Sequence, residues 1–258
     1  MGIILYENLD VGYVPPTPAT PYPAPEKIAP VFLEYAKKYG HPIGYIQEQN
    51  GQIIQNIVPV HKTEHQQIST SSKVELALHT ETAFHPYKPD DVMLFCLRGD
   101  PQAITTYANF SDILKQLDKT TIDILKKEWF TTGIDISFRT NGELDKQIPI
   151  KIINEYNGIL SFIYDVTVIK GINDEAQKAL VDTQKAIENC TQEIVLKTGD
   201  LLVIDNRKTI HGRKPFQARY DGTDRWVQRI LVREQLPPKK YLLNNNIINL
   251  DIKDMAAV

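Results

Sequence analysis

A chain of 258 residues, 42% hydrophobic and 24% charged, has the composition of a globular protein and the length for one large barrel or sandwich. Its net charge of -3 excludes a broad basic surface for nucleic acid or an acidic membrane. Cys96 and Cys190 form neither a metal-binding spacing nor a disulfide framework, so reduced thiols and a cytoplasmic setting are expected.

The opening Met1-Gly2 is followed by Tyr6 where a myristoylation signal needs Ser or Thr, and Ile3–Tyr6 is too short for a signal peptide core. Residues 1–26 carry Pro15, Pro16, Pro18, Pro21, Pro23 and Pro25, which favour an extended path over the domain. A ligand for a proline-binding module is the alternative. Helical spacing of Ile28, Phe32, Tyr35 and Ala36 before Gly40 predicts a helix over 26–39. Strand patterns then flank Asn50-Gly51, which predicts a β-hairpin. Further strands are expected at 91–98 and 102–107, and one or two helices over 111–128, capped at Ser111 and Thr121. Short strands follow near 134–138, 149–153 and 159–165. A helix over 173–189 places Ala176, Ala179, Leu180, Thr183 and Ile187 on one face. EIVL, LLVID, TIHGR and WVQRILVRE close the pattern as strands, leaving 237–258 as a tail. Many strands with polar turns predict a mainly β sandwich or barrel flanked by helices, in a single domain over 1–258.

Two stretches carry candidate chemistry. Residues i and i+2 of a strand share a face, so His79 and Glu81 can both reach one ion while Thr80 points away. His211, far along the chain in DNRKTIHGR, supplies a third ligand. Two imidazoles and one carboxylate with open positions form the ligand set of non-haem Fe(II) oxygenases. The triplet alone is a weak signal, and the residues around it decide.

LHTETAFHPYKPDDVMLFCLRGD, together with GDLLVIDNRKTIHGRKPFQARYDGTDRWVQRILV, resembles the clavaminate synthase-like branch of Fe(II)/2-oxoglutarate dioxygenases, which includes arginine and asparagine β-hydroxylases. The resemblance implies a double-stranded β-helix (jelly-roll, cupin-like) fold. It also implies Fe(II) held by His79, Glu81 and His211, with 2-oxoglutarate and O2 as co-substrates. Arg225 matches the arginine that receives the distal carboxylate of 2-oxoglutarate, a task suited to a planar guanidinium fork. Thr106 matches a hydroxyl near the same co-substrate, with Thr105 the runner-up. Arg229 matches the arginine that holds the substrate α-carboxylate, Asp165 an acid at the substrate's side-chain nitrogen, and Gln47 or Gln49 the α-amino contact.

The activity so implied is hydroxylation of a free L-amino acid at Cβ or Cγ, with succinate and CO2 released. A dioxygenase acting on a carrier-bound, peptidyl or modified amino acid is the alternative, and a jelly-roll binding protein the non-enzymatic one. Retention of Glu81 favours hydroxylation over halogenation. Ile163 stands where the arginine hydroxylases carry a second acid, which argues against arginine. The polar segment 139–151 is expected to act as a lid.

Overall fold

The structure, a computed structural model, describes residues 2–21, 29–135, 138, 147–156 and 158–251. In chain order the first strands are β1 (Ile3–Tyr6), β2 (His41–Tyr45), β3 (Ile54–Ile57), β4 (Leu76–His79), β5 (Asp91–Arg98) and β6 (Thr105–Asn109). Next come β7 (Phe130–Thr132), β8 (Ile148–Ile150), β9 (Ile153–Tyr156), β10 (Ile159–Phe162) and β11 (Lys170–Gly171). The last are β12 (Gln192–Ile194), β13 (Leu201–Asp205), β14 (Thr209–Arg213), β15 (Trp226–Arg233), β16 (Leu242–Leu243) and β17 (Ile247–Ile248). The helices are α1 (Ala29–Lys37), α2 (Phe110–Gln116), α3 (Lys119–Leu125) and α4 (Asp174–Cys190).

Period-two side-chain alternation sorts these strands into layers. The major sheet runs β1-β13-β5-β15-β2-β17-β16, with β3 also on β15; the minor sheet runs β12-β6-β14-β4. Val92, Leu94 and Cys96 of β5 join Val227 and Leu231 of β15 in the central core. The intervening Met93, Phe95 and Leu97 pack outward under Phe32 and Ala36 of α1. Both faces of β5 are therefore buried, which is why DVMLFCLR reads as a continuous apolar run. Beyond the minor sheet, Ala108, Phe110 and Ile210 pack with Ala176, Ala179 and Leu180 of α4. This mainly β arrangement of two sheets is the double-stranded β-helix, and it leaves space between the sheets at one end for a site.

Several sequence expectations meet the structure directly. The predicted face of α4 is the buried one, and Asn173 caps it by accepting the Ala176 N–H at 2.9 Å. Two helices occupy the 111–128 region. The cap of α3 is Asp118, which accepts the Thr121 N–H at 2.7 Å, rather than Thr121 itself, because the helix starts a turn earlier.

The Asn50-Gly51 hairpin does not form. Gln49, Asn50 and Gly51 do adopt the positive φ that Asn-Gly favours. However, β2 and β3 lie end to end along β15 instead of pairing with each other, β2 on Leu231–Arg233 and β3 on Val227–Ile230. One long buried strand offers both segments a fuller ladder than they would give each other. The segment expected as a strand at 134–138 is not one at Ile134 and Asp135, where the strand lies earlier, at β7; 136–137 fall outside the described residues, as does 139–146 of the expected lid. In the C-terminal region β17 pairs parallel to β2 and extends the major sheet.

One pair works against stability. Asp91 and Asp205 stand directly opposite on β5 and β13, with Asp90 and Glu234 nearby and Arg207 the facing cation. Burial, then the charge of Asp205, pushes the Asp91 carboxyl up to about 7. Because this folded-state value lies above the ordinary one, protonated Asp91 favours the fold at low pH, and that contribution is lost as pH rises through about 7. Asp91→Asn is expected to stabilise the protein by roughly 1–3 kcal/mol at pH 8, with the gain vanishing near pH 4. Parallel melting curves of wild type and variant across that range would refute this.

Candidate active site

The two histidines meet because β4 and β14 are neighbours in the minor sheet, with His211 directly across from His79. The strands come this close because position 212 is glycine: a Cβ there would collide with the Leu76 carbonyl and sit 3.1 Å from the Thr106 hydroxyl. The ring centroids lie 4.7 Å apart. His79 Nδ1 is bonded to the Ala77 carbonyl at 2.8 Å, which fixes that nitrogen as the protonated one and leaves Nε2 as a free ligand.

Glu81 lies beyond the end of β4, in the turn that follows it, so local wiring rather than strand alternation aims it. Thr80 turns away and locks onto the 162–164 segment: its N–H reaches the Tyr164 carbonyl at 2.6 Å, and its hydroxyl accepts the Tyr164 N–H at 3.0 Å. Asn206, fully buried in the DNR segment, holds Glu81 by its backbone. It accepts the Glu81 N–H at 2.8 Å and donates to the Glu81 carbonyl at 3.1 Å and the Pro89 carbonyl at 2.9 Å. The sequence reading missed Asn206, although it lies within the quoted motif.

Ligand atoms of His79, Glu81 and His211 all fall within 4.8 Å of one another, with Glu81 Oε2 3.7 Å from His211 Nε2. Burial alone would raise the Glu81 carboxyl, but the Arg229 charge and the His211 ring hold it well below the carboxylate range. Burial also lowers His211. A neutral imidazole and an ionised carboxylate are the forms a metal ligates. The donor set and spacing therefore fit one Fe(II).

A cavity of about 320 Å³ opens onto this triad. At one end lies Arg225, buried, with no hydrogen bond from its guanidinium among the described residues; burial lowers its pKa. Such a cation calls for an anionic ligand. Arg213, on the same strand face as His211, borders the same end. Its guanidinium is taken up by Ser71 Oγ at 2.9 Å and the Ser69 and Val74 carbonyls at 3.3 Å. In the β6–β14 register Thr105 stands opposite Arg213, and Thr106 stands opposite Gly212 on the other face. Thr105 lines the cavity, and the buried hydroxyls of Thr105 and Thr106 both lack a protein partner among the described residues. The register thus turns Thr105, the runner-up of the sequence reading, toward the cavity and Thr106 toward the other face.

The other end is built around Arg229 on β15. Its guanidinium meets Glu48 Oε1 at 2.5 Å, Glu81 Oε1 at 3.0 Å and the Gln55 side-chain oxygen at 3.0 Å through Nε. Burial would lower the Arg229 pKa, and the two carboxylates more than offset it. The structure places Glu48, rather than Gln47 or Gln49, in the cavity. Gln47 instead donates to the Leu250 carbonyl at 2.8 Å, and the positive φ of Gln49 turns the chain away. Asp165 reaches the cavity through an isolated bridge to His79. Asp135 also lines it, and nothing in the sequence around it had singled it out.

Two sheets enclosing a His, Glu, His triad, beside a buried arginine unpaired among the described residues, define a non-haem iron oxygenase that uses a 2-oxo acid. The sequence model described as the taurine catabolism dioxygenase TauD, TfdA family matches residues 21–231. The chain belongs to the TauD/TfdA family. It is an Fe(II)-dependent dioxygenase that consumes 2-oxoglutarate and O2. It is 34% identical over 239 residues to the L-lysine 3-hydroxylase of Catenulispora acidiphila, covering 90% of this chain and 67% of that protein. The L-asparagine oxygenase of Streptomyces coelicolor is 34% identical over 242 residues, 91% of this chain and 72% of the relative. An asparagine oxygenase structure with Fe(II), 2S,3S-3-hydroxyasparagine and succinate superposes with a TM-score of 0.88 at 31% identity, covering 97% of this chain and 80% of that one. The non-haem iron oxygenase OrfP with Fe, succinate and (3S)-hydroxy-L-Arg gives 0.86 at 25% identity, covering 96% and 82%.

Proposed function

We propose that this dioxygenase hydroxylates a free L-amino acid at Cβ or Cγ, with His79, Glu81 and His211 as iron ligands. The observation that carries the reading is the Arg229–Glu48 pair beside Glu81. A guanidinium and a carboxylate in contact, next to a metal ligand, complement the α-carboxylate and α-ammonium of a zwitterion. When bound, Fe(II) with 2-oxoglutarate and O2 supplies the oxidation that converts C–H to C–OH and releases succinate and CO2.

The chain's own residues bind and orient. Arg225 and Thr105 take the distal carboxylate of 2-oxoglutarate, and Arg213 fixes the 69–74 loop that closes that end. Arg229 and Glu48 anchor both α groups, so the first side-chain carbons face the triad, and position selects the carbon. Asp165 meets the far end of the side chain. Asn206 and Thr80 keep Glu81 aimed at the ion. Relatives that act on free amino acids support this reading, among them the L-lysine 3-hydroxylase and L-asparagine oxygenase. A carrier-bound substrate would offer Arg229 no free carboxylate. Cys96 and Cys190 are both free thiols, which supports a reducing, cytoplasmic setting. Among the described residues no helix is long and apolar enough to cross a membrane.

Succinate release measured across the twenty amino acids, with mass analysis of the product, tests the proposal. One or a few free amino acids gaining 16 Da is the expected result; turnover only of carrier-bound aminoacyl groups would overturn it. Glu48→Gln is expected to raise KM for the amino acid about 10- to 100-fold while leaving KM for 2-oxoglutarate within about twofold.

A further inference from the structure

We propose that Thr17 and Arg98 are positioning residues for Arg225, so that a proline-rich stretch outside the cavity sets the affinity for 2-oxoglutarate. This rests on the role proposed above for Arg225. Neither Thr17 nor Arg98 lines the cavity. Arg225 needs outside support for two reasons. It lies just before β15, whose ladder starts at Trp226 and is irregular between Trp226 and Val227, so strand pairing does not fix it. Its guanidinium also has no hydrogen bond among the described residues, so the backbone on either side must hold it in place.

Both neighbours of Arg225 turn away from the cavity and are tied to residues 14–21. Trp226 packs in the outer layer with Phe32 and Phe95, and the Asp224 carboxylate folds back to accept the Arg219 and Tyr220 N–H groups at 2.8 and 2.6 Å. Thr17 donates its hydroxyl to the Asp224 carbonyl at 2.5 Å and its N–H to the Gly222 carbonyl at 2.8 Å. On the other side the Trp226 indole N–H donates to Asn56 Oδ1 at 2.8 Å, and Asn56 Nδ2 donates to the Pro21 carbonyl at 2.8 Å. Gly222, at φ +87°, lets Pro16 close in: a Cβ there would stand 3.1 Å from the Pro16 Cβ. Arg98, opposite Trp226 in register, fastens the stretch down. Its guanidinium donates to the Thr17 hydroxyl oxygen at 2.5 Å and to the Pro15, Gly222 and Val14 carbonyls at 2.9, 3.2 and 3.3 Å. Pro15, Pro16, Pro18 and Pro21 limit the freedom lost on docking. A guanidinium fork meets a carboxylate through two bonds only when its plane is set, so loosening this hold weakens the co-substrate contact.

Thr17→Val removes the hydroxyl and keeps the shape. It is expected to raise Kd and KM for 2-oxoglutarate about 5-fold or more, with KM for the amino acid within about twofold and Thr17→Ser behaving as wild type. Calorimetry on the Fe(II) protein kept free of O2 measures the Kd. Tyr13→Ser, on the same stretch but 73% exposed, is the control and should leave both values unchanged. Coupling is reciprocal, so 2-oxoglutarate should slow hydrogen exchange at the Thr17 N–H of wild type about 5-fold or more, beyond any slowing in α4. A Thr17→Val protein that melts lower but binds 2-oxoglutarate as tightly as wild type, or Thr17 exchange that 2-oxoglutarate slows no more than it slows α4, overturns the inference. If Arg225→Met also binds 2-oxoglutarate like wild type, the role given to Arg225 falls with it; if that variant alone loses binding, only the inference about Thr17 and Arg98 falls.

Discussion

Arg225→Met is expected to lower kcat/KM for 2-oxoglutarate about 100- to 1000-fold while making the ligand-free protein more stable. The two effects have one cause. Arg225 is a buried guanidinium with no carboxylate paired to it among the described residues, so the fold bears its desolvation until a ligand carboxylate arrives. Methionine removes the charge and keeps much of the volume, for an expected gain of about 1–3 kcal/mol. In the role proposed for Arg225, removing the cation also removes the bidentate partner of 2-oxoglutarate. Thermal melting checks both halves: the variant should melt higher than wild type without ligand, and should lose the stabilisation that millimolar 2-oxoglutarate gives wild type. Equal stabilisation of the two proteins by 2-oxoglutarate would place the co-substrate carboxylate elsewhere.

Arg229→Met is expected to show the opposite sign in stability. Arg229 is held by Glu48, Glu81 and Gln55, and its loss leaves two buried carboxylates uncompensated. The cost is about 3–5 kcal/mol. Activity should fall more than 100-fold through KM for the amino acid, because the α-carboxylate loses its partner. Adding Glu48→Gln to Arg229→Met removes one of the orphaned charges and should restore part of the stability but none of the activity. If the double variant were no more stable than the single one, the Arg229–Glu48 pair would not be the source of the loss. Read together, the two arginines separate roles by sign: one stores unfavourable energy for a ligand, the other neutralises acids the site needs.

Much of the site was legible before any fold was known, because its residues lie in two continuous segments of chain. His211, Arg225 and Arg229 fall in one C-terminal stretch, with Arg229 on β15 and Arg225 just before it, ahead of an irregularity in register between Trp226 and Val227. The α4 face and the doubly buried β5 were readable for the same reason, since periodicity is a local property. Where the reading failed, a non-local choice decided. Asn50-Gly51 predicted its backbone conformation correctly and its strand pairing wrongly, because β15 competes for both flanking strands. The adjacent hydroxyls Thr105 and Thr106 were told apart only by the register of β6 on β14.

By itself, then, the sequence picked out the three residues that come together as a candidate metal-ligand set, the buried arginine that lines the cavity at position 225, and the sheet-rich architecture, all of which depend on residue type and short spacing. Only the tertiary structure decided which carboxylates line the cavity. Glu48 enters the cavity because a left-handed turn follows it, flanked by glutamines that point elsewhere. Asp135 lines it from the stretch just after the end of β7. Neither position carries a local signature, since what makes a carboxylate functional there is the charge of groups distant in sequence, and that balance exists only after the chain has folded.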